Sequence, residues 1–83
     1  MLKLSLLHYL AEVGHADAHD VAAAFDLHYP ASAMALLRLT RQGLAIRHHD
    51  PDSSMYWYSL SEHGWQRYRY LQVLQHHEKT YAP

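Results

Sequence analysis

Between Leu36 and Gly64 the chain reads LLRLTRQGLAIRHHDPDSSMYWYSLSEHG, and its hydrophobic period changes twice within that span. Leu36 and Leu39 recur at helical spacing, and Gly43 supplies the helix stop. The period then falls to two. Leu44, Ile46 and His48 alternate with Ala45, Arg47 and His49, and later Tyr56, Tyr58 and Leu60 alternate with Met55, Trp57 and Ser59. Between the runs lies Asp50-Pro51-Asp52-Ser53-Ser54, a turn by composition. Two alternating runs around a turn make a hairpin. Ser61 then offers a cap for a new helix, with Glu62 in its first turn. A helix end, a hairpin and a helix start must therefore pack together with very little connecting chain.

The flanking sequence supplies what they pack against. Leu2, Leu6, Tyr9, Leu10 and Val13 mark a first helix over about 2–13, ended by Gly14. Asp17 can cap a second, AHDVAAAFD, with Val21, Ala24 and Phe25 on one face. Pro30 suits the first turn of a third helix that continues to Gln42. Its buried side is expected from Leu36 and Leu39 with Ser32 or Ala35, and its exposed side from Ala31, Met34, Arg38 and Arg41. After the hairpin, Trp65, Tyr68, Leu71, Val73 and Leu74 give the last helix an extensive apolar surface. The expected class is mainly α with a small β-hairpin wing (α+β): a winged helix in the order helix-helix-helix-strand-strand-helix. It forms one domain over 1–78 with a frayed tail over 79–83.

Four segments carry a family resemblance: LLHYLAEVG, DVAAAFDL, LLRLTRQGLAIR and YSLSEHG. Over about residues 4–72 the chain resembles the winged helix-turn-helix domains of MarR-, PadR- and ArsR-type transcriptional regulators. In those families a leucine-rich recognition helix runs into a Gly-Leu step, and a Tyr-x-Leu-Thr/Ser-x-x-Gly step closes the wing. Here the closing step is Tyr58-Ser59-Leu60-Ser61-Glu62-His63-Gly64. The resemblance implies duplex DNA as the partner, met through the third helix (about 30–42) and the wing (about 44–60).

Charge distribution bears on that implication more than net charge does. The 83 residues sum to −1, which is not the balance of a strongly basic nucleic-acid binder. Yet residues 1–37 set Lys3 against Glu12, Asp17, Asp20 and Asp26, whereas residues 38–49 carry Arg38, Arg41 and Arg47 with no acid. The positive charge sits where a winged helix faces DNA. Arginine forks there can clamp phosphates, although a solvated helix face shows the same residues. The base-facing stretch would be Tyr29, Pro30, Ala31, Ala33, Met34 and Leu37, without the polar side chains that usually bond base edges. The expected DNA contacts are Tyr29, Ala33, Met34, Arg38, Arg41, Arg47, His48 and His49. An alternative follows from the same apolar face: a protein-interaction module using Leu37 and Trp57 to bind a protein partner, with Trp57 an exposed anchor rather than a residue covered by the last helix.

Other chemistries are poorly served. With no cysteine there is neither a disulfide framework nor a thiolate metal site, in keeping with a cytoplasmic protein. The apolar N-terminal stretch falls short of the ~18 residues of a membrane span, so no membrane association is expected. No phosphate-cradling glycine loop, H-E-x-x-H motif or cysteine nucleophile suggests an enzyme. The nine histidines, among them His15 with His19, His48-His49 beside Asp50 and Asp52, and His76-His77 with Glu78, raise a third possibility, a metal- or pH-responsive regulator. None has closed ligand spacing, and Gly14 and Asp17 start the second helix too late to align His15 with His19, so no metal or cofactor is expected. A homodimer through the first and last helices is expected, because two-fold pairing doubles the contacts that so small a domain can make.

Overall fold

The computed structural model describes the backbone of residues 2–81 and the side chains of residues 2–74. Its elements run α1 (Leu2–Val13), α2 (Ala18–Phe25), α3 (Tyr29–Arg41), β1 (Ala45–His49), β2 (Tyr56–Leu60) and α4 (Glu62–Tyr81), the expected order. The helical backbone of α4 passes residue 78, where the sequence reading ended the domain. The His76-His77-Glu78 grouping falls outside the described side chains.

The helices meet in one core built on Leu6, Leu7, Leu10, Val21, Leu36 and Leu39, closed by Leu44, Ala45, Tyr58, Leu60 and Tyr68. The ends of the expected α1 stripe, Leu2 and Val13, are instead 44% and 45% exposed, and Ala24 is exposed on α2. Each boundary has a local cause. Gly14 takes a left-handed φ of 87° while its N–H donates to the Leu10 carbonyl. Asp17 opens α2 with a reciprocal capping box: Asp20 N–H donates to Asp17 Oδ1 at 2.8 Å, and Asp17 N–H to Asp20 Oδ2 at 3.0 Å. In α3, Ser32 is fully buried, its hydroxyl donating to the His28 carbonyl oxygen.

The hairpin register pairs Ala45 with Leu60, Arg47 with Tyr58 and His49 with Tyr56 on one face, and Ile46 with Ser59 and His48 with Trp57 on the other. Ala45, not Ile46, therefore turns into the core. Ile46 is 47% exposed, and Leu44 is buried just ahead of the strand, where its N–H reaches the Leu39 carbonyl. The short segment between α1 and α2 adds a third line to the sheet: Ala16 exchanges both backbone hydrogen bonds with Tyr58, at 3.0 and 2.8 Å.

The wing closure is a three-way junction. Ser61 Oγ donates to the Gly43 carbonyl at 2.6 Å and accepts from Gly64 N–H at 2.9 Å, while Ser61 N–H donates to the Leu44 carbonyl. One serine thus ties the end of α3 to the start of α4. Gly64 is needed for space rather than for backbone conformation, because a Cβ there would collide with the Leu44 carbonyl oxygen. Further along, α4 is pinned to α1: the Tyr68 hydroxyl lies 2.7 Å from His8 Nδ1 and accepts from Gln72 Nε2 at 2.7 Å.

Candidate nucleic-acid interface

With Ser32, Leu36 and Leu39 buried, Pro30, Met34, Leu37, Arg38 and Arg41 fall on the opposite side of α3 at three- and four-residue spacing. The stripe divides by chemistry. Its first half is apolar: Tyr29 is 50% exposed, Met34 43% exposed, and Leu37 half-buried. Its second half presents the exposed Arg38 and Arg41. Ala33, half-buried, turns toward the wing and lines a small cleft with Tyr29, His19, Met55, Tyr56 and Tyr58.

The hairpin register divides the expected wing contacts between two faces, as the alternation of the strand predicts. Arg47 and His49 share a face with Tyr56, which also borders the cleft beside α3. The Arg47 guanidinium sits 4.4 Å over the Tyr56 ring, and the His49 ring lies 5.0 Å from it. His48 stands on the other face, stacked on Trp57 at 3.8 Å with 11° between the ring planes, its Nε2 2.9 Å from Ser59 Oγ. The His15 ring meets Trp57 edge-on at 5.2 Å. Trp57 is therefore half-buried under two histidines, rather than standing free or lying beneath the last helix. The sequence offered His15 only as a partner of His19, and Tyr56 only as a strand residue. Tyr56 could have been placed by counting the hairpin register, but nothing local foretold that Ala16 would join the sheet and carry His15 to Trp57.

Electrostatically, the three arginines are unopposed. The single contact within 4 Å between a basic side chain and a carboxylate among the described residues is His8 Nε2 with Glu12 Oε1 on α1, at 3.3 Å. At the wing tip Asp50 is a structural acid. Its carboxylate accepts from Asp52 N–H at 3.0 Å and from Ser53 Oγ at 2.9 Å. Those bonds, the backbone one foremost, hold its pKa below the ordinary 3.8, with nearby His49 adding to the effect. No group of three or more His, Asp or Glu side chains among the described residues is placed to hold a metal.

Three helices, a hairpin against the third and a closing helix define a winged helix-turn-helix domain, the class in which the third helix and the wing share one side. Solved structures place it more narrowly. YusO from Bacillus subtilis aligns at TM-score 0.81 and 16% identity, over 98% of this chain and 61% of its own. The PcaV transcriptional regulator from Streptomyces coelicolor aligns at 0.76 and 25%, over 86% and 51%. A MarR variant from E. coli, complexed with operator DNA, aligns at 0.75 and 14%, over 82% and 49%. The chain has the MarR-type winged-helix fold and spans roughly half to three fifths of the length of these proteins. No protein-family model and no curated protein sequence matches it.

Proposed function

We propose that this domain binds duplex DNA as a cytoplasmic transcriptional regulator, through α3 and the wing. The observation that carries the reading is the placement of Arg38, Arg41 and Arg47: exposed, on the two elements that flank a groove in this fold, and without an acidic partner among the described residues. Guanidinium groups so placed supply the phosphate contacts that position such a domain. Tyr29, Ala33 and Met34 lie nearest the bases, and His49 extends the contact along the wing. Occupancy of the site, with no covalent chemistry, would block or recruit polymerase.

Two copies act together in this reading. Apolar side chains remain exposed on the first and last helices, with Tyr70 at 55%, Val73 at 65% and Leu74 at 41% on α4 and Leu2 and Val13 on α1. Burying them between subunits would stabilise a dimer and double the contact set. A second reading, a protein-interaction module, is favoured by the exposure of Tyr29 and Met34 alone. Its other anchor is weakened, because Trp57 already has partners in His15 and His48.

Fluorescence anisotropy of a labelled duplex, titrated across a salt series, tests the proposal. Three phosphate contacts per domain give a log–log slope of about −3 per bound copy. Arg38→Ala and Arg41→Ala should each remove about one unit of that slope. Absence of duplex binding at any salt concentration would leave the interaction module standing.

A further inference from the structure

The base-facing half of α3 has an unusual inventory. Its one short hydroxyl, Ser32, is fully buried and committed to the His28 carbonyl. Thr40, farther along, is likewise committed to the Leu36 carbonyl at 3.0 Å. What the first half presents outward is Pro30, Ala31, Met34 and part of Leu37, with Ala33 and the Tyr29 ring beside the cleft to the wing. Exposed Met55 at 41% and Tyr56 at 44% extend this surface across the cleft. On α3 itself the polar groups at this end are the Tyr29 phenol and His28 just before it, while His19, Asp17 and Ser54 border the cleft. In helix-turn-helix docking it is this N-terminal part of the recognition helix that meets base edges.

An apolar side chain in the major groove has one favourable partner there. Thymine alone among the four bases carries an apolar group on that edge, its C5-methyl; the other groups are hydrogen-bonding atoms that Met34 and Ala33 would desolvate without pairing. The charge on the same helix says what kind of molecule occupies the face. Arg38 and Arg41 follow Met34 by roughly 6 and 10 Å along the axis, and Arg47 stands across the cleft on its Tyr56 platform. An apolar reader flanked by phosphate-binding cations is complementary to a nucleic-acid groove. We infer that this domain selects duplexes by their thymine methyl groups, with Met34 and Ala33 as the reading surface and the arginines indifferent to sequence. The inference rests on the DNA-binding reading and adds the class of target: A·T-rich duplex DNA whose major-groove methyls face α3.

The discriminating probe is an alternating dA-dT duplex against an alternating dA-dU duplex of equal length, which differ in the 5-methyl group. A second pair, alternating dG-dC with cytosine or 5-methylcytosine, adds the methyl to a different base pair. Binding to dA-dT should be tighter by about fourfold for each methyl covered, and methylation of the dG-dC duplex should strengthen its binding in the same direction. Met34→Ala, at an exposed position, should bring the T/U ratio toward one. Arg38→Ala should weaken both duplexes and leave the ratio intact. Equal binding to dA-dT and dA-dU would overturn the inference while leaving the DNA-binding reading in place, and a Met34→Ala variant that keeps the full ratio would overturn the assignment to Met34. Binding to none of the four duplexes would overturn the DNA-binding reading itself, and the inference with it.

Discussion

The root and the tip of the wing are held by different means. At the root, Ala45, Tyr58 and Leu60 are buried, Ala16 adds a backbone pair, and Ser61 and Gly64 lock the hairpin onto the end of α3. At the tip nothing is buried. Arg47 lies over Tyr56, His48 stacks on Trp57, and Asp50 binds its own turn. The root spends its contacts on keeping the fold. The tip keeps its charged and aromatic groups at the surface, where they are available to a partner. Stability and binding should therefore respond to different residues of the wing and its closure.

The comparison breaks most visibly at Gly64. Gly64→Ala forces a methyl into the Leu44 carbonyl, and the backbone shift needed should destabilise the domain by about 1–3 kcal/mol, or prevent folding; thermal denaturation reads this directly. Ser61→Ala removes the cap shared by α3 and α4 and should cost about 1 kcal/mol, seen as a lower Tm with an unchanged fold by circular dichroism. Arg47→Ala, at the tip, should leave stability within about 0.5 kcal/mol while reducing the salt slope of duplex binding by about one. A large Tm loss for Arg47→Ala, or none for Gly64→Ala, would show that root and tip are not separable.

The smallest effect lies in the turn. Because Asp50 has a depressed pKa, its contribution to the turn is complete above the ordinary 3.8 and is lost as pH falls through the lower folded value. Amide signals of residues 52–54 should hold steady from neutral pH down to mildly acid conditions and shift only below that window. Asp50→Asn should remove the shift without altering the core signals.

Most of the element order was legible because each boundary carries its own local chemistry: a left-handed glycine at Gly14 and Gly43, a capping carboxylate at Asp17, a hydroxyl at Ser61. The buried stripe of α3 was legible in Leu36 and Leu39, while the choice between Ser32 and Ala35 beside them was made by the packing, which buries Ser32. What escaped was whatever depends on register or on contact between distant segments. Alternation shows that Leu44 and Ile46 oppose Ala45, but not which set turns inward, and Leu44 escaped the pattern by lying before the strand. Trp57 was legible as an aromatic on the face opposite Tyr56, but its cover of His15 and His48 was not.

The sequence by itself determined the order of helices and strands, the place where they turn, and the concentration of arginine between residues 38 and 47, because backbone preference, capping and charge are local properties. Only the tertiary structure decided that Gly64 must lack a side chain, that Ala45 rather than Ile46 turns into the core, and that the apolar half of α3 stays uncovered within the domain. Those outcomes depend on which atoms meet across the core and the sheet, and such meetings join residues far apart in the chain.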